Sequence, residues 1–97
     1  MMAVSFEWDY DKAKANLKKH TVSFDEASTV FDDPLAAVFS DESHSQPEIR
    51  ELIVGHSILN RLVFVSFTER GRDRVRIISA RLATRNERKT YEENQDS

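Results

Sequence analysis

Apolar and polar positions along this chain change period several times, and each change marks an element. Ser5-Phe6-Glu7-Trp8-Asp9 alternates with the period of two of a short strand. Asp9 is a helix-capping residue type, and after it Tyr10, Ala13 and Leu17 fall on one stripe, which predicts a helix from Tyr10 to Lys19. Its outer face carries Lys12, Lys14, Lys18 and Lys19, with cations toward the carboxyl end where the macrodipole favours them. His20 and Thr21 close it. Ser23 and Glu26 are spaced as a capping box, and Val22 is placed to pack on Ala27 as a hydrophobic staple. Phe24, Ala27, Val30 and Phe31 share a face of this second helix, which ends at Asp32-Asp33-Pro34 because the residue before proline is driven toward extended geometry.

The second half reads as strands. Leu35 to Ser40 is one; the polar stretch Asp41 to Pro47 is the longest exposed loop. Three β-rich runs follow, Glu51 to His56, Arg61 to Thr68 and Arg74 to Arg81, divided by turn signals at Ser57 to Asn60 and at Gly71 to Asp73. An antiparallel meander is the natural arrangement. In the second run Val63, Val65 and Phe67 alternate with Leu62, Phe64 and Ser66, so both faces are apolar at the centre, the strand is central, and helices cover at least one face. Thr84 with Glu87 is another capping box, opening a last helix through Arg85, Arg88, Tyr91 and Glu92. The polar tail from Asn94 should fray.

Size and composition narrow what these elements build. A chain of 97 residues, read over 1–97 as one domain, has too little apolar surface for a second core. Two glycines and two prolines leave Asp, Asn, Ser and Thr to make the turns. With no cysteine there is neither a disulfide frame nor a thiolate metal site. No stretch approaches the roughly 20 apolar residues of a membrane span, and the start lacks the pattern of an export signal, so no membrane is expected and a cytoplasmic location is.

A net charge of −3 argues against a polyanion ligand, but its distribution reverses that. Residues 1 to 60 hold five Lys or Arg against eleven acids, whereas residues 61 to 89 hold nine against three. Eight of the fourteen basic residues are arginines between Arg61 and Arg88, and the planar guanidinium suits phosphate oxygens. His20, His44 and His56 are too scattered for a zinc pattern, and phosphate-loop, dinucleotide and nucleophile-elbow signatures are missing, so neither metal nor cofactor is called for.

The chemistry-bearing segment is Thr68-Glu69-Arg70-Gly71 running into Arg74-Val75-Arg76-Ile77-Ile78-Ser79-Ala80-Arg81. Strand periodicity puts Arg74 and Arg76 on one face and Arg81 on the other, with Val75, Ile77 and Ser79, unless a bulge intervenes. An arginine held by a packed strand is preorganised for an anion; equally, Arg76 and Arg81 could pair with Glu48, Glu51 or Glu87. Cleaving RNA without a metal requires a base for the ribose 2′-hydroxyl, cations for the phosphorane and an acid for the leaving oxygen. Glu48, Glu69 and His20 are the base candidates, with Glu48 favoured; Lys12 or Lys19 would add charge, and Trp8 or Tyr91 could stack on a base.

Across nearly its whole length the chain resembles the BrnT family of type II toxins, a branch of the RelE-like ribonucleases. The resemblance is carried by Phe6-Glu7-Trp8-Asp9 with Lys12 and Asn16, Lys19-His20, Val22-Ser23-Phe24-Asp25-Glu26-Ala27, Val30-Phe31 and Asp33-Pro34. Glu48, Arg50 and Gly55, Thr68-Glu69-Arg70, the run Arg76 to Arg81, and Ala83, Glu87 and Tyr91 complete it. It implies an α+β, RelE-like fold with an antiparallel sheet packed against two N-terminal helices and a C-terminal helix. It implies endoribonuclease activity that arrests growth by damaging messages, and a ribbon-helix-helix antitoxin, BrnA, that reaches operator DNA as the complex. Motif positions carry over as catalytic for Arg50, Thr68, Arg70, Arg76 and Arg81, with Glu48; Lys12, Lys19, His20 and Trp8 would bind substrate. Thr21 stands where glycine is expected, which predicts a different helix exit near His20. The competing reading is a non-catalytic RNA- or protein-binding module of the same fold.

Overall fold

The structure, a computed structural model, describes residues 4–41 and 49–95. The strands are β1 (Ser5–Glu7), β2 (Ala37–Asp41), β3 (Arg50–His56), β4 (Leu62–Glu69) and β5 (Arg74–Leu82). Helices α1 (Tyr10–His20) and α2 (Phe24–Thr29), the latter continued by a 3₁₀ turn over Val30–Asp32, precede β2, and α3 (Arg85–Gln95) follows β5. One sheet contains all five strands in the order β1-β5-β4-β3-β2. From β2 to β5 it is the expected antiparallel meander. β1 departs from it by pairing parallel with β5, so the sheet is mixed rather than wholly antiparallel. A parallel pair needs a long crossover, and here both helices and three strands lie between the partners, so no local pattern announces it.

Alternation along β4 decides the two layers. Val63, Val65 and Phe67 are buried on one face, where Val22, Phe24, Ala27 and Val30 of the α1–α2 region close over them together with Ile53, Val75, Ile77 and Ala80. Burying a side chain such as Phe24 contributes roughly 1.5–3 kcal/mol, so this cluster is the main source of stability. Leu62 and Phe64 point the other way, into a smaller cluster with Val54, Ala83 and Tyr91 beneath α3. Helices thus lie on both faces, but α3 itself buries no residue.

Local chemistry accounts for the helix ends. The Asp9 carboxylate accepts from the backbone N–H of Asp11 and Lys12 at 2.9 and 3.1 Å, capping α1. Thr21 does adopt the left-handed stop, with φ 59°, its N–H donating to the Leu17 carbonyl at 3.0 Å. The expected change of exit geometry is therefore not found; the Thr21 hydroxyl, donating to the His20 carbonyl at 2.6 Å, is satisfied in that conformation. Only half of the first capping box forms. Ser23 Oγ accepts from the Glu26 N–H at 2.9 Å, but the Glu26 carboxylate turns away to Ser57 and Arg61. Glu26 is buried, and Arg61 with the Ser57 hydroxyl holds its pKa below the ordinary value against the opposing effect of burial. At α3 the box is complete, Thr84 and Glu87 exchanging both bonds at 2.8 and 3.2 Å.

Asn16 solves an edge problem. β1 covers β5 only from Arg74 to Arg76, so the later part of β5 has no neighbouring strand on that side. The buried Asn16 carboxamide accepts from the Ala80 N–H at 3.0 Å and donates to the Ala80 carbonyl at 2.8 Å and to the Val22 carbonyl at 2.9 Å. One side chain thereby replaces a strand's hydrogen bonds and ties α1 to the sheet.

Candidate functional site

A β-bulge determines which residues share a face. In the β4–β5 ladder Ser66 faces Ser79 and Phe67 faces Ile77, leaving Ile78 as an extra residue on β5. The reservation attached to the strand periodicity is thus realised. Past the bulge Ala80 is buried with the main core, and Arg81 moves to the face already holding Arg74 and Arg76. This is the face opposite α1 and α2.

Two rows of side chains cross that face. In the first, Arg76 lies opposite Thr68 on one side and Glu7 on the other. One further step of the β3–β4 register brings Arg50 beside Thr68, whose hydroxyl donates to the Ile49 carbonyl at 2.7 Å. Arg50 is half-buried, and its Nε is fully enclosed with no hydrogen-bond partner among the described residues. Such a donor costs about 1–3 kcal/mol when left unmade. Arg76 Nη1 donates to Glu7 Oε2 at 2.9 Å, and Arg74 Nε stands 3.6 Å from Glu7 Oε1.

The second row begins with Phe64 opposite Arg81. The guanidinium carbon lies 4.4 Å from the Phe64 ring centroid, and the fork grips Glu87 through two parallel bonds of 2.8 and 2.9 Å. Arg81 and the Thr84 backbone N–H hold the Glu87 carboxyl down to about 2, and Glu87 in turn raises the Arg81 pKa. Beside this clamp runs an apolar groove of about 300 Å³ lined by Phe39, Val54, Phe64, Thr90 and Tyr91. The far end of α3 is fastened by the Tyr91 hydroxyl, which donates to the Leu35 carbonyl at 2.8 Å.

An ordered face carrying guanidinium groups from two strands, β3 and β5, suits a phosphodiester. The sequence profile of the family described as "Ribonuclease toxin, BrnT, of type II toxin-antitoxin system" matches residues 8–87. The chain belongs to the BrnT family. Its fold is similar to that of the Brucella abortus ribonuclease toxin BrnT, known from a crystal structure at 1.1 Å, with a TM-score of 0.63 and 23% identity over 88% of this chain and 100% of that one. No curated protein matches significantly. Membership of the BrnT family makes this a ribonuclease toxin of a type II toxin–antitoxin system, with a cognate antitoxin and an RNA target.

Within the BrnT fold the sequence-derived candidates divide between two layers. Arg50, Thr68, Arg76 and Arg81 share the face just described. Arg70 is exposed in the turn that follows β4, its N–H donating to the Arg74 carbonyl at 2.8 Å. Glu48 lies outside the described residues, as do positions 42–47 of the polar loop. Lys12, Lys19 and His20 belong to α1, whose Asn16 meets the open edge of β5 at Ala80, and Trp8 packs edge-on against Phe24 in the main core at 5.9 Å. Trp8 thus lies across the sheet from the arginines. Glu69 is exposed at the end of β4, alternating with Phe67 toward the face covered by α1 and α2. The alternative pairing weighed for the arginines is realised in part: Arg81 takes Glu87, while Arg76 takes Glu7, which sequence reasoning had not considered. Glu7 alternates with Phe6 and Trp8, which places it away from the core; its strand partner is set by tertiary pairing. Among the described residues no three His, Asp or Glu gather as a metal site, and no helix is long and apolar enough to cross a membrane.

Proposed function

We propose that this chain is an endoribonuclease that cleaves RNA without a metal, using the sheet face that carries Arg50, Thr68 and Arg76. The observation that supports it is the row itself: a half-buried arginine whose enclosed Nε has no partner among the described residues, beside a buried threonine and a second arginine already oriented by a carboxylate. These groups are fixed by strand packing, so they can meet the charge of a phosphorane without reorganising. Arg70 at the neighbouring turn extends the cationic surface toward the RNA backbone. Arg81, with both terminal nitrogens on Glu87, holds α3 in place and contacts phosphate only once that clamp opens. RelE-like chemistry, cytoplasmic action on messages with arrest of translation, and neutralisation by a BrnA-like ribbon-helix-helix antitoxin whose complex binds operator DNA complete the reading.

The internal pairing of Arg76 and Arg81 favours a second reading, a binding module that cuts nothing. One assay separates the two. Purified protein in EDTA should convert a long RNA into fragments with 2′,3′-cyclic phosphate ends, and Arg50→Met should slow this by about 100- to 1,000-fold while leaving the fold intact. RNA that stays whole with folded protein, or full activity in Arg50→Met, overturns the proposed site. Expression of the chain alone should arrest bacterial growth, and co-expression of its cognate antitoxin should restore it.

A further inference from the structure

The proposed cleavage needs a group to take the 2′-hydroxyl proton, and among the described residues the sequence-derived candidates do not supply one on the arginine face: Glu69 alternates with Phe67 toward α1 and α2, His20 ends α1, and Glu48 lies outside the described residues. Among carboxylates whose side chains are described, Glu7 and Glu87 are the two held by arginines of this face. Glu87 is fully engaged. Its Oε1 accepts from Arg81 and from the Thr84 N–H, and its Oε2 accepts from Arg81 again. Glu7 is hydrogen-bonded on one side alone, its other oxygen being only ion-paired. Oε2 accepts from Arg76 at 2.9 Å, which fixes the carboxylate plane, whereas Oε1 has Arg74 Nε at 3.6 Å, beyond hydrogen-bond reach. The side chain is 32% exposed, so a ribose can approach that oxygen.

We infer that Glu7 is the general base of this ribonuclease, an assignment that rests on the proposed function above. The free Oε1 accepts the 2′-hydroxyl proton as O2′ forms its bond to phosphorus. Arg76, and Arg74 beside it, meet the non-bridging oxygens as the phosphorane develops. The bond from phosphorus to O5′ then breaks, and O5′ takes a proton from solvent. The products are a 2′,3′-cyclic phosphate and a 5′-hydroxyl, and Glu7 releases its proton to water. The ion pair has a purpose in this scheme, because an arginine that orients the base also sits against the phosphate the base serves.

Single-turnover cleavage in EDTA by wild type and Glu7→Gln tests this, with affinity for a 2′-deoxy-substituted oligonucleotide measured alongside. Expected are a loss of about 100- to 10,000-fold in rate and affinity for the uncleavable oligonucleotide within about threefold of wild type. Rate retained within about fivefold overturns the assignment. So does a fall in affinity that matches the fall in rate, because Glu7 would then serve to hold Arg76. Should Glu7→Gln not fold, Glu7→Ala with added formate replaces it: recovery of rate with formate supports the base role and none overturns it. Wild type that fails to cleave overturns the nuclease reading itself, which is a different result from an active Glu7→Gln.

Discussion

Replacing Glu87 by glutamine removes a charge while keeping a side chain that can still accept from the Thr84 N–H, so it isolates the Arg81 clamp from the helix cap. The Glu87 carboxyl falls from 4.5 to about 2 on folding. At about 1.36 kcal/mol for each pKa step this is at most ~3.4 kcal/mol. The pair is not sealed from water, the Arg81 side chain being 43% exposed and that of Glu87 32%, and screening brings the expected contribution to about 1–2 kcal/mol. For a carboxyl whose folded pKa is depressed, the stabilisation is fully present above the unfolded value of about 4.5 and is lost as pH falls toward 2. Urea denaturation should therefore show Glu87→Gln less stable than wild type by about 1–2 kcal/mol at neutral pH, with the gap closing between about pH 4.5 and 2. Salt at high concentration should shrink it in part. A gap that is unchanged at low pH, or smaller than about 0.3 kcal/mol at neutral pH, would refute the view that charge pairing fastens α3 to the sheet.

Asn16→Ala removes three buried hydrogen bonds and strands the N–H and carbonyl of Ala80; a loss of about 2–4 kcal/mol in chemical denaturation is expected, and less than about 1 would mean that water replaces the amide. Gly55→Ala would set a Cβ 2.9 Å from both Ala36 Cβ and Asp33 Oδ2 and 3.2 Å from Val30 Cγ1. The crowding should lower stability by about 1–3 kcal/mol, equivalent to roughly 4–8 °C of melting temperature for each kcal/mol, and an unchanged melting temperature would show that the Asp33 turn moves aside freely.

Much of the architecture was readable from local pattern because local forces set it. Period and capping placed α1, the start of α2, the start of α3 and strands β3 to β5 within one or two residues. The double apolar alternation of β4 announced a central strand covered on at least one face, and the two clusters show cover on both. The site was harder to read. Its residue types stood out as an arginine-rich segment, but which arginines meet depended on the bulge at Ile78, since a single extra residue reverses the facing of everything beyond it.

By itself, then, the sequence determined the element types, the apolar faces and the family, each written in the spacing of neighbouring residues. The tertiary structure alone decided that β1 lies parallel to β5, that Glu7 therefore reaches Arg76, and that Trp8 stands across the sheet from the arginines. Those outcomes join residues far apart in the chain, and such partners are selected by the packing of whole layers, which no short window of sequence contains.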